Sequence, residues 1–230
     1  PTATFLPHTM KRLMISGVNV QLTTNFNYLQ ELTVSGSTLL TKVDCFSCIP
    51  ILSLAGLRNV TSLNGLGYDE DSSKNLKNRK VILFSLNKVE DFTPLNSVPV
   101  VSIRHCDGFR DIGQVKDVKN LSIALCPNCH FSAAVMSEQL SLRGKMDDDI
   151  FRYVPNVKEL DLSSATEVGI ENWGALNTLR NLERVVLPKK WKEEDREMWE
   201  MVEQDYFRFD QRVDYLKEND LNAIVLIKKR

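Results

Sequence analysis

The residues best suited to chemistry in this chain are its cysteines and histidines, five and three respectively in 230 residues. Two pairs have Cys-x-x-Cys spacing, Cys45-Phe-Ser-Cys48 and Cys126-Pro-Asn-Cys129. In metal sites that spacing puts two thiolates on one zinc ion. A second grouping sets His105 and Cys106 against Cys126, Cys129 and His130. The run Asp147-Asp148-Asp149 offers a cluster of carboxylates, and His8 stands apart near the start. There is no glycine-rich phosphate loop, no H-E-x-x-H and no G-x-S-x-G. Whether any of these groups can meet depends on the elements that carry them.

Those elements repeat. An apolar residue, two others, an apolar residue, one other and an apolar residue recur as Met10-Leu13-Ile15, Leu29-Leu32-Val34, Ile49-Leu52-Leu54, Val98-Val101-Ile103, Val118-Leu121-Ile123, Val157-Leu160-Leu162 and Leu182-Val185-Leu187. Val81-Leu83 and Leu140-Leu142 keep the last two positions. The central residues fall at 13, 32, 52, 81, 101, 121, 140, 160 and 185, and six of the eight intervals are 19 or 20 residues. An alternating pair is the mark of a short strand with one buried face. A return path of about a dozen residues brings the next strand alongside in parallel. One unit has too little apolar surface to fold alone, so neighbours must stack. The return paths carry apolar residues three apart, Phe92-Leu95-Val98, Ile112-Val115-Val118 and Ile170-Trp173-Leu176-Leu179, which suits a turn of 3₁₀ or α-helix.

The repeat resembles the leucine-rich-repeat family, whose unit reads L-x-x-L-x-L-x-x-N/C-x-L, over roughly residues 10 to 190. Val98-x-x-Val101-x-Ile103-x-x-Cys106 and Val118-x-x-Leu121-x-Ile123-x-x-Cys126 match it best, with both cysteines at the Asn/Cys position. Elsewhere that position holds Val18, Ser37, Leu57, Leu86, Lys145, Ala165 and Lys190, so the asparagine ladder is missing. The resemblance implies an α/β fold: a curved solenoid with a parallel, concave sheet that binds partners. About nine irregular units are expected over residues 1–188, with an insertion near 64–78 in the polar stretch Gly67-Tyr-Asp-Glu-Asp-Ser-Ser-Lys-Asn75. Such an insertion is a tolerated surface loop or a specificity element.

This register decides among the chemical groups. The two Cys-x-x-Cys pairs sit four strand steps apart, roughly 19 Å at about 4.8 Å per step, which rules out a shared zinc. Cys106 and Cys126 fall side by side, about 5 Å apart in backbone, so a disulfide or a metal shared with Cys129 and His130 is geometrically allowed. The simpler reading takes them as buried small hydrophobes, with no metal and no cofactor. The three aspartates precede Ile150-Phe151 and Tyr153-Val154, where they cap a short helical turn. No enzymatic activity is expected.

Side chains at the positions just before, just after and three after each central residue point away from the core. Most are small and hydroxylic. Units three to five differ: Ile51, Ile82, Phe84 and Val100 make an apolar patch beside Lys80 and Arg104, the composition of an interaction site. Cover by the insertion, or a slipped register in unit four, would remove it.

After Pro188 the composition changes. Trp191, Met198, Val202, Tyr206, Phe209, Val213 and Leu216 fall at helical spacing, so 189–230 is expected to form a helical cap that closes the solenoid, with Ala223–Ile227 as a final strand.

The 29 basic and 30 acidic residues give a net charge of -1, which argues against a nucleic-acid partner, and no apolar run is long enough to span a membrane. An odd cysteine count favours a reducing, cytoplasmic setting. Of the sequons Asn59-Val60-Thr61 and Asn120-Leu121-Ser122, the second overlaps an expected strand, a poor acceptor. Pro1 is expected to follow a processed or upstream segment. The function expected is a non-catalytic protein-protein interaction module, a scaffold or recognition domain. The alternative is a regulatory or targeting segment of a larger enzyme, such as the substrate-recognition subunit of a ubiquitin ligase.

Overall fold

The computed structural model describes residues 9–17, 28–67, 78–127, 129–146, 150–168, 176, 178–188, 207–210 and 223–228. The alternating segments form strands β1 (Arg12–Ser16), β2 (Glu31–Ser35), β3 (Ile51–Ala55), β4 (Lys80–Phe84), β5 (Val100–Arg104), β6 (Asn120–Ala124), β7 (Gln139–Met146), β8 (Glu159–Asp161) and β10 (Arg184–Pro188). They lie parallel in that order, and β9 (Ala165–Val168) pairs with the end of β7. Central residues pair in one continuous row, Leu13 through Leu32, Leu52, Val81, Val101, Leu121, Leu140 and Leu160 to Val185. Unit four is therefore in register: Ile82 pairs with Ser53 on one side and Ser102 on the other.

The period-two pattern sets the core. From β2 to β10 the central residue and the one two beyond it are buried, as Leu52-Leu54 and Val101-Ile103 illustrate. In the return paths Phe46, Phe92, Phe109 and Phe131 are buried beneath the sheet, with Phe92 and Phe109 edge to face at 4.7 Å between ring centroids. The expected helical turns are 3₁₀, at Asp44–Phe46, Thr93–Leu95, Ile112–Val115 and Ile150–Arg152. Polar side chains in these paths tie neighbouring units together. Asn96 Nδ2 donates to Asp117 Oδ2 while Asn96 Oδ1 accepts from Asp117 N, both at 2.8 Å, and buried Ser137 Oγ donates to Val118 O at 2.6 Å.

Two expectations are corrected. The class is a parallel β-solenoid rather than α/β: among the described residues every helix is a 3₁₀ turn of three or four residues. A unit of about 20 residues that spends five on a strand and more on two chain reversals has room for little else. The helical cap is also not what the described residues form. Phe207–Asp210 make strand β11, antiparallel to β12 (Ala223–Lys228), which is itself antiparallel to β10 with Pro188 opposite Ala223. The free edge of β10 presents unpaired backbone groups, and a strand satisfies them where a helix cannot. Phe-Arg-Phe-Asp also alternates with period two, a pattern the helical spacing masked. The remainder of the helical stripe, from Trp191 to Tyr206 and from Val213 to Leu216, lies outside the described residues, as do Asp147, Asp148, Asp149 and the insertion at 68–77.

A second row runs along the end of the sheet, four residues after the central position in units one to seven. Gly17, Gly36, Gly56, Ser85, His105, Leu125 and Gly144 all have positive φ, between 52° and 103°. Each donates its N–H to a carbonyl of the next unit, as Gly36 N does to Ala55 O at 2.9 Å and His105 N to Ala124 O at 2.9 Å. The left-handed turn is what aims that N–H along the solenoid. It is natural for glycine and costs other residues about 1–2 kcal/mol.

Candidate functional site

The turn chemistry separates the cysteine and histidine groups. The left-handed residue points outward and the next one inward, so exposed His105 leans its ring on Phe84, 5.1 Å between centroids, while Cys106 is fully buried. Cys126 and Cys129 are also buried, and His130 is exposed. The proposed ligands are thus on opposite sides of the turn. None of the five cysteines is in a disulfide, and no group of three or more His, Cys, Asp or Glu among the described residues is arranged to hold a metal ion. The Asn/Cys position faces the core in most described units: Ser37, Leu57, Leu86, Cys106, Cys126 and Ala165 are buried there, while Lys145 is exposed. The thiols meet backbone carbonyls, Cys106 Sγ to Arg104 O at 3.4 Å and Cys126 Sγ to Ala124 O at 3.6 Å.

Burial pushes the Cys106 thiol up to about 12 and raises Cys126 as well; Cys45 rises to about 11 through burial and then the neighbouring Asp44 charge. At neutral pH Cys106 is therefore held as the thiol, the unreactive form. In the folded chain Cys106 and Cys126 should therefore resist a disulfide-exchange thiol reagent, and denaturant should release both. Rapid native labelling at either position, read by peptide mapping, would contradict this.

Among the described residues one Asp-Ser-His neighbourhood is found, and its geometry is that of a turn cap. Asp111 accepts from Ser132 Oγ at 2.7 Å, Ser132 N at 3.2 Å and Gly113 N at 2.8 Å. The carboxylate caps the 3₁₀ turn Ile112–Val115 and pins the next return path to it. Ser132 Oγ donates its hydrogen bond to the carboxylate and not to an imidazole, so the Ser–His contact of a nucleophilic triad is not formed here. Desolvation pushes the Asp111 pKa up, but the hydrogen bonds from Ser132 and Gly113 together outweigh it, so the net shift is downward.

The open face of the sheet holds the candidate interaction residues. Ile51, Lys80 and Val100 pair across strands at one level, and Ala55, Phe84 and Arg104 at another. Ile82 lies between these levels. Phe84 is 43% exposed and Ile51 39%, while Ile82 and Val100 are half-buried and Lys80 and Arg104 exposed. A groove of about 360 Å³ runs from this patch toward β10; its lining includes Lys80, Ile82, Val100, Arg104, Asn120 and Glu159. Arg104 Nε donates to Ser102 Oγ at 3.1 Å, and the Asn120 Oδ1 atom is buried with no donor.

The site thus reaches further than units three to five. Asn120, Gln139, Ser141, Glu159, Asp161 and Arg184 extend the groove, and exposed Leu125 extends the rim beside Phe84 and His105. The strand register could have found the first set, because the outward positions continue unbroken. The rim was hidden because its rule, a left-handed residue after each strand, is carried by glycine in only some units.

No helix among the described residues is long and apolar enough to cross a membrane. No protein-family model matches the sequence, and neither does any curated protein.

Proposed function

We propose that this chain is a leucine-rich-repeat protein that acts without catalysis, binding a protein partner on the open face of its sheet. The unit pattern L-x-x-L-x-L supports the repeat family, since every central position falls in one paired row. The observation that carries the binding reading is the patch of Ile51, Ile82, Phe84 and Val100, partly exposed on an in-register sheet and flanked by Lys80 and Arg104. Water-exposed aromatic and aliphatic groups bordered by cations are what an interface core and rim need. The serines at Ser53, Ser102, Ser122 and Ser141 let a partner approach the backbone closely without supplying much energy themselves.

The test is capture from native cell extract with the full chain as bait. Phe84→Ala combined with Arg104→Ala should reduce recovery of specific partners by about tenfold or more, as hot-spot truncations do. Melting should move by only a few degrees, because both side chains are exposed. Unchanged recovery would place the site elsewhere.

A further inference from the structure

Strands β3 to β7 contain no aspartate or glutamate, in a chain with 30 of them. Their open-face positions carry Lys80, Arg104 and Arg143, and none of the three has a carboxylate partner among the described residues. Acids return only outside this zone, as Glu31, paired with Arg12 at 3.2 Å, and as Glu159 and Asp161 on β8. Over the same units the rim changes character. Where units one to three and seven place glycine in the left-handed turn, units four to six place Ser85, His105 and Leu125. Leu125 is 52% exposed, so burial does not offset the strain of its φ of 53°. Strained residues held at a surface point to a use there.

We propose that the partner presents an extended acidic segment, laid across β4 to β7 along this rim. Its carboxylates sit on Arg104 and Arg143, with one apolar side chain between them against Leu125 and a second, beyond Arg104, against the Phe84–His105 pair. This rests on the reading of the open face as the interface. Arg104 and Arg143 occupy the same level two strands apart, about 10 Å, which an extended chain spans in about three residues. Ala124, small and buried, lies between them and leaves the floor low. The apolar content of the patch favours a peptide over a nucleic acid, whose phosphates need a denser row of cations.

Fluorescence polarisation on the full chain tests this with four probes: short labelled peptide pools combining Glu with Leu and Phe, the same pools with Gln or with Lys in place of Glu, and a single-stranded oligonucleotide. The acidic pool should bind, and the Gln and Lys pools should bind at least about tenfold more weakly. Arg104→Glu with Arg143→Glu should exchange the preference between acidic and basic pools. Leu125→Gly should weaken binding of the acidic pool while leaving the melting temperature equal or higher, since glycine relieves the left-handed turn. Equal binding of acidic and basic pools, binding by none, or an oligonucleotide bound as well as the acidic pool would overturn the proposal. If the peptides fail while Phe84→Ala with Arg104→Ala still abolishes partner capture, the acidic occupant is wrong and the interface stands.

Discussion

Gly108→Ala is expected to destabilise the fold by about 3 kcal/mol or more, read as a shift in the urea unfolding midpoint. A Cβ at this position would lie 2.0 Å from Val89 O and 2.9 Å from Val89 C. Both obstacles are backbone in the previous unit, so no rotamer change relieves the contact. Val89 is itself buried and donates its N–H to Leu86 O at 3.2 Å, so it cannot withdraw without breaking its own turn. Relief must come from separating units four and five, whose strands pair along their whole length. Gly36→Ala isolates the other cause. Its Cβ meets nothing nearer than 3.6 Å, and only its φ of 67° resists a side chain, so the loss should be about 1 kcal/mol. Equal midpoint shifts for the two variants would contradict the steric account.

Arg79→Ala should be comparably severe, about 3–5 kcal/mol. This arginine is fully buried just before β4. Its Nη1 donates to Leu66 O at 2.6 Å and Gly67 O at 3.0 Å, and its Nη2 to Phe46 O at 3.2 Å. It thereby ties the return paths of units two and three to the start of unit four, where the insertion would otherwise leave carbonyls without donors. Removing it opens a large cavity and strands those acceptors together. Desolvation lowers the guanidinium pKa to about 10, so the group is charged at neutral pH and bears its burial penalty there. Because the unfolded chain holds that proton more tightly, this group makes stability rise as pH climbs above about 10. Arg79→Lys keeps the charge but cannot fork between separate carbonyls, and should recover only part of the loss. An alanine variant within about 1 kcal/mol of the parent would show that the carbonyls find other donors.

These two residues mark the limit of what the sequence made legible. The strands could be read because alternation and a near-constant interval are properties of consecutive residues, and Leu52-Leu54 or Val101-Ile103 announce themselves. Arg79 could not be read, since a charged residue beside a polar insertion looks solvated, and its three partners come from distant turns. Gly108 carries no positive φ; its necessity lies in the closeness of the neighbouring unit. The left-handed row escaped because Ser85, His105 and Leu125 interrupt the glycines, and β11 because Tyr206, Phe209 and Val213 also fit a helix. Of the candidate site, Ile51, Ile82, Phe84 and Val100 were legible from period two alone. Leu125 was not, since it lies beyond the strand on a turn whose direction depends on φ.

The most direct measurement is carbene footprinting of side chains in the free chain and in complex with its purified partner. Among the described residues the large exposed apolar side chains are Ile51, Phe84 and Leu125 at the proposed patch and its rim, Met14 on β1 away from it, and Leu39 and Met136 in the return paths. The account predicts that labelling falls at Ile51, Phe84 and Leu125 on binding and holds steady at Leu39 and Met136. Protection of Leu39 and Met136 with the open face unchanged would contradict it.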